Sequence, residues 1–187
     1  MTTFYFLQIS FVLLCITRIS TLDCNTLHFL HNKAIQENLQ VLDQMGQQFP
    51  EQCQNEKIHF KFPEQFLKLR EKEDVKASVQ EILVQIFYIF TKNLTLAAWD
   101  GRALEKFQNG LNQKIEHLEA CLTEKIQKKQ LYSRREEIMR LKLKKHFLNI
   151  YNFLKDKKYS LCSWEIIRLE IRRCLQFIVK VTSRLRN

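Results

Sequence analysis

The chain has 187 residues, a net charge of +10 and a pI near 9.4, with only three glycines and two prolines. So few breakers, beside abundant Leu, Ile, Lys, Glu and Gln, exclude a fold of many short strands joined by tight turns and favour long helices in one domain. Three glycines leave little scope for a phosphate-cradling loop, and the basic balance favours acidic partners, cell-surface glycosaminoglycans among them, without identifying one.

Phe4 to Ile16 is an apolar run too short to span a bilayer and is followed by small polar residues, which predicts a signal peptide over residues 1–21, cut after Thr21. No Lys or Arg precedes the run, so the α-amino group is its only early charge. Removing Arg18 with the leader lowers the charge of +10 by one, to +9, and leaves a helical domain over residues 22–187. The expected location is secreted and extracellular. In that oxidising compartment Cys24, Cys53, Cys121, Cys162 and Cys174, none in a CxxC arrangement, predict disulfides rather than a zinc site. Two bridges and one odd thiol are expected, with the connectivity left open by spacing alone.

From about Asn25 to Gly46, apolar residues Leu27, Leu30, Ala34, Val41, Leu42 and Met45 recur at helical spacing, and Gly46 is a natural stop. His28 and His31 lie one turn apart there without a third ligand, so no metal is expected. Gln47 to Asp74 is a long connection holding Pro50 and Pro63, and its interleaved Phe49, Phe60, Phe62 and Phe66 predict that it packs on the domain. Val75 to Phe90 is the most apolar stretch. Its apolar positions cover an arc of roughly 140°, which predicts a central helix packed on several sides. Asn93-Leu94-Thr95 is an N-glycosylation acceptor at the expected helix end.

Trp99 is read as opening the next helix, with Leu104, Phe107, Leu111, Ile115 and Leu118 as its stripe. Ser133 and Glu136 form a capping-box pattern ahead of Met139, Leu143, Phe147, Ile150 and Leu154. The last helix, from about Ser163 to Arg184, carries Trp164, Ile167, Ile171, Leu175 and Ile178 on a core side, while Glu165, Arg168, Arg172 and Lys180 are expected on the outside. Basic residues from Lys125 to Lys145 are spread over a connection and a whole helix circumference, which reads as solvated surface. No stacking aromatics accompany them, so no nucleic-acid partner and no membrane insertion are expected.

No HExxH, GxSxG or Gly-rich phosphate loop occurs, and Glu165 and Glu170 do not share a helix face well; the chain reads as no enzyme, with no cofactor and no bound metal. Cys174, on the flank of the last stripe, reads as a packed structural thiol.

YSLCSWEIIRLEIRRC, Tyr159 to Cys174, strongly resembles the last helix of type I interferons in its cysteine, its Trp-Glu pair and its Glu-Ile-x-Arg run. HFKFPEQF, His59 to Phe66, resembles the long connection of that family. LDCN, FPEQFL and EIRRC are similar to the kappa subtype, and AAWD and LEAC to the alpha subtypes. The resemblance covers essentially the whole mature chain. It implies an all-α, five-helix cytokine bundle with long crossover connections. The implied protein is a secreted signal that bridges a two-chain type I interferon receptor and starts an antiviral, immunomodulatory programme.

Further implications are bridges Cys24–Cys121 and Cys53–Cys162 with Cys174 free. The receptor face implied by the resemblance comprises Lys57, Arg168, Leu169, Arg172, Arg173 and Phe177, with Lys144 meeting the second receptor chain. Gln54, Lys57 and Arg172 depart from the family pattern, standing where alpha members have an apolar residue, an Arg and a Met. The competing readings are a secreted cationic helical protein acting on glycosaminoglycans or microbial membranes, and a different helical cytokine.

Overall fold

The computed structural model describes residues 27–46, 48–56, 58–127 and 133–185. Within them lie five helices, α1 (Leu27–Met45), α2 (Lys72–Phe90), α3 (Gly101–Gln127), α4 (Arg134–Asp156) and α5 (Leu161–Arg184). Two 3₁₀ turns, Glu51–Glu56 and Glu64–Lys68, interrupt the α1–α2 connection, and no strand occurs among the described residues.

Short polar side chains set the helix starts. Ser133 accepts from the Glu136 N–H at 3.0 Å and donates to Asp74 at 3.1 Å, so the expected cap of α4 also ties it to α2. Ser160 accepts from the Ser163 N–H, and α5 therefore begins at Leu161, two residues before the expected start. Trp99 does not open α3. Asp100 caps it by accepting from the Ala103 N–H at 2.8 Å, and Trp99 turns inward on the preceding loop, where Ala98 holds a left-handed φ of 53°.

Contacts along α5 fix the directions of the other helices. Asp43 meets Arg172 and Gly46 meets Arg168, so α1 runs antiparallel to α5. Phe90, the last residue of α2, faces Trp164 near the start of α5, and the turn between α4 and α5 spans only residues 157–160; both helices are antiparallel to α5. α3 starts beside the end of α2, with Gln108 donating to the Phe90 carbonyl, and runs parallel to α5. Consecutive α1 and α2 thus point the same way, which requires a connection as long as the bundle.

That connection lies along α5 in register. Cys53 is disulfide-bonded to Cys162, the Phe60 carbonyl accepts from Arg173, and the Leu67 carbonyl accepts from Arg184. Each seven residues of connection span eleven residues of helix, ~16 Å at helical rise, which is ~2.4 Å per residue and suits a path broken by 3₁₀ turns. Phe60, Phe62 and Phe66 are buried, as their interleaving predicts.

α2 packs against α3, α4 and α5, and its apolar arc is almost wholly buried. At its end an aromatic cluster closes the core. Phe90 lies 4.9 Å from Phe107 and 5.6 Å from Trp99, and Trp99 meets Trp164 edge-on at 5.5 Å. Both indoles keep a hydrogen bond in the dry interior: Trp164 Nε1 donates to the Asn93 carbonyl at 3.0 Å and Trp99 Nε1 to Glu165 at 2.6 Å.

The helical pattern put Glu165 and Arg168 outside with Arg172 and Lys180, and here the structure corrects it. Both residues are buried, because α1, α2, α4 and the connection surround α5 on most of its circumference. Arg168 donates to Glu165 through Nε at 3.1 Å and Nη2 at 2.8 Å, and through Nη1 to the Leu42 carbonyl at 3.4 Å. Gly46 makes room for this. A Cβ there would strike the Arg168 guanidinium, so glycine serves a close approach as well as a helix end.

Two outcomes follow for equilibrium denaturation of the disulfide-intact protein. Glu165→Ala strands the Arg168 charge in the interior and should cost about 3–5 kcal/mol, whereas Lys157→Ala, which deletes a largely exposed pair with Glu56, should cost less than about 1 kcal/mol. Gly46→Ala should cost about 1–3 kcal/mol by pushing Arg168 off its partners, and unchanged stability in that variant would show that the guanidinium is not confined.

Candidate functional site

With most of α5 covered, what remains open is a narrow stripe. Leu169 is 40% exposed, and Gln176 and Lys180, two and three turns further on, are also exposed on the same side of the helix. Arg172 lies partly exposed beside this stripe and donates to Asp43 of α1 at 2.7 Å. The pair is well solvated, with 39% and 46% of its side chains exposed, so it contributes little stability and its guanidinium can exchange partners at low cost.

Arg173 is held differently. It donates to both oxygens of Glu170, at 2.9 and 2.7 Å, and to the Phe60 carbonyl at 2.6 Å, and its guanidinium lies 5.4 Å from the Phe177 ring centre. The Glu170 hydrogen bond raises its pKa against the opposing effect of burial, so this charge is fixed. Phe177 packs on Phe62 at 4.9 Å, which leaves part of its ring at the surface. Arg173 and Phe177 therefore belong to the seam between α5 and the connection. Arg168 lies beneath the stripe, and Lys57 is outside the described residues. Beside that position Ile58 is 48% exposed, an apolar side chain on the connection that helical periodicity had no means to single out.

α4 carries a second open face. Ile138, Leu141 and Leu148 are exposed, Leu141 by 66%, with Lys144 and Lys145 among them. Lys144 lies 4.0 Å from Glu81, which also accepts from Arg140 at 3.2 Å. The sequence pattern marked only the buried stripe of this helix. The signal for the outer face was there, since Ile138, Leu141 and Leu148 are apolar residues that fall off the Met139–Leu154 stripe at helical spacing.

Asn93 is exposed in the α2–α3 loop. Its Oδ1 accepts from the Thr95 N–H at 3.1 Å, and its carbonyl is held by the Trp164 indole, so a rigid turn presents the acceptor triplet. Cys174 is a free, buried thiol beside His146 and Glu170. Cys121 is disulfide-bonded, and Cys24 lies outside the described residues. Among the described residues no helix is long and apolar enough to cross a membrane.

The family profile described as Interferon alpha/beta domain matches residues 27–185. The chain is 38% identical to human interferon kappa over 181 residues, covering 89% of this chain and 87% of that relative. It is 32% identical to human interferon beta over 189 residues, covering all of both chains. Zebrafish interferon 2 shares the fold with a TM-score of 0.70 at 24% identity, covering 79% of this chain and 96% of that one. On the family match and these identities, the chain belongs to the type I interferons and is a helical cytokine.

Proposed function

We propose that this cytokine is secreted, bridges a two-chain cell-surface receptor and starts antiviral and immunomodulatory signalling. The observation that supports bridging is the presence of two separate exposed faces on different helices, each mixing apolar and cationic side chains. One is the Leu169–Lys180 stripe of α5 with Arg172; the other is the Ile138–Leu148 face of α4 with Lys144. An apolar anchor ringed by charges that stay solvated in the free protein is the usual composition of a protein-binding hot spot. Residues 1–21 would serve as the signal peptide.

On the first face Leu169 is the anchor and Arg172 the adaptable cation. Ile58, Arg173 and Phe177 bound the same surface, Lys57 is added on the family resemblance alone, and Arg173 acts mainly by holding the connection against α5. We assign Arg168 no receptor contact, because its guanidinium is buried among α1 and α5 groups. Cys24 is the proposed partner of Cys121, following the family resemblance; Asn38 of α1 packs on Gly110 of α3 in antiparallel helices, so the start of α1 lies toward the end of α3 where Cys121 sits. A bridge joining residues about a hundred apart adds about 4–5 kcal/mol in the chain-entropy account. No enzymatic step is assigned. Glycosaminoglycans are a further class of partner for the basic surface, and they would act by concentrating the protein at cells.

Reporter cells lacking one receptor chain or the other should lose the interferon-response signal entirely, and a response retained in both would overturn the bridging reading. Cells lacking sulfated glycosaminoglycans should still respond. In surface plasmon resonance with the receptor chains, Leu169→Ala and Arg172→Ala should each lose about 1–3 kcal/mol of affinity to one chain, mostly through faster dissociation, while Lys72→Ala changes it by less than about 0.5 kcal/mol. Protein secreted from animal cells should carry an N-glycan on Asn93, read by mass spectrometry as a mass that disappears in Asn93→Gln; an unmodified Asn93 peptide throughout would remove that assignment.

A further inference from the structure

We propose that His146, Glu170 and Cys174 form a binding site for one divalent transition-metal ion of the zinc class, which would tie α4 to α5 beneath the connection. The three side chains are buried, and their donor atoms make a closed triangle. His146 Nε2 lies 3.3 Å from Glu170 Oε1, Cys174 Sγ lies 3.8 Å from the same nitrogen, and Sγ lies 3.9 Å from the same oxygen. A tetrahedral zinc ion, with bonds of about 2.0–2.1 Å to nitrogen or oxygen and about 2.3 Å to sulfur, separates its ligands by ~3.3 Å for an N–O pair and ~3.6 Å for pairs that include sulfur. The observed edges are within a few tenths of an ångström of one face of that tetrahedron.

The lone pairs point the right way. With an ion bound, the Lys61 carbonyl, 3.3 Å from His146 Nδ1, would hold the ring proton there and leave the Nε2 lone pair, which faces Glu170 at 3.3 Å, to the triangle. An imidazole nitrogen, a carboxyl oxygen and a sulfur thus converge on one point. A small cation fits the centre. As in protein metal sites, the histidine's second nitrogen lies by a carbonyl and the carboxylate is itself hydrogen-bonded: Arg173 Nε holds Oε2 at 2.9 Å, and Arg173 Nη2 reaches the ligating Oε1 at 2.7 Å, a charge that the ion must share. Phe60, Phe62 and Phe147 stand edge-on around the imidazole and keep the site dry.

The mixed sulfur, nitrogen and oxygen set selects zinc or cobalt over magnesium or calcium, which prefer all-oxygen cages. Coordination exchanges the S–H bond for an S–metal bond, and the proton passes to the buffer without any change of oxidation state. His146 and Arg173 also line a cleft of about 980 Å³ between the connection, α4 and α5, which offers an entry path on the His146 side. This inference stands apart from the receptor reading, since neither exposed face contains these three residues.

Cobalt(II) titrated into the full mature protein, with its disulfides formed, tests it. The expected result is one ion per chain, a near-ultraviolet thiolate-to-cobalt charge-transfer band, visible bands of tetrahedral intensity and a raised Tm, with zinc displacing cobalt and magnesium failing to do so. Cys174→Ser should abolish the charge-transfer band, and His146→Asn should weaken binding at least about tenfold. Circular dichroism without metal checks that both variants fold. In the unaltered protein, zinc should slow alkylation of Cys174 under mild denaturant, a readout that needs no variant. Absence of the charge-transfer band with excess cobalt, its survival in Cys174→Ser, or equal alkylation with and without zinc would each overturn the site.

Discussion

The buried ion pair between Glu165 and Arg168 is the constraint on which the arrangement of the other helices depends. Within one turn of α5 it ties the Trp99 indole of the α2–α3 loop, through Glu165, to the Leu42 carbonyl of α1, through Arg168. A buried pair of this kind gains little over an apolar core of equal volume, since desolvating both charges offsets most of their attraction. Its contribution is positional. Neither ion can be left alone in the interior, so α1, α5 and the loop before α3 must meet in one register, and position 46 must carry no Cβ.

The connection extends that register down the bundle. Its anchors at Cys162, Arg173 and Arg184 occur every eleven residues along α5, so its attachments recur on one side of that helix, as three helical turns bring the chain nearly back to the same angle. Once that side is covered by the connection and the others by α1, α2 and α4, the Leu169 stripe is the remainder. The exposed surface of α5 is thus set by what packs around it.

Burial decides what otherwise similar arginines do. Arg168, Arg172 and Arg173 each hold a carboxylate and lie within two turns of one another. Arg168 is sealed inside and organises the fold; Arg173, about a third exposed, fastens the connection; Arg172, paired in open solvent with Asp43, remains free to take a partner's carboxylate. The same accounting separates the carboxylates: Glu165 serves the aromatic end of the core, and Glu170 serves Arg173 together with the His146–Cys174 cluster.

Helix number, the apolar stripes, the Ser133 cap and the packing of the phenylalanine-rich connection were legible in the sequence, because periodicity and capping are local and repeat within a few residues. Family membership was legible too, since long runs such as YSLCSWEIIRLEIRRC carry it residue by residue. The inward placement of Glu165 and Arg168 was not, because a helical wheel assigns charge to solvent and cannot know that three helices and a connection surround α5. Nor could spacing bring His146 to Glu170 and Cys174: only antiparallel packing of α4 on α5 does that, and a lone histidine on an apolar face gives no sign of its neighbours. Sequence determined which residues form each helix and its core stripe. Tertiary structure alone decided which of the remaining polar residues are buried with a partner and which stay open to one, because that depends on what lies across the interface and not on neighbours along the chain.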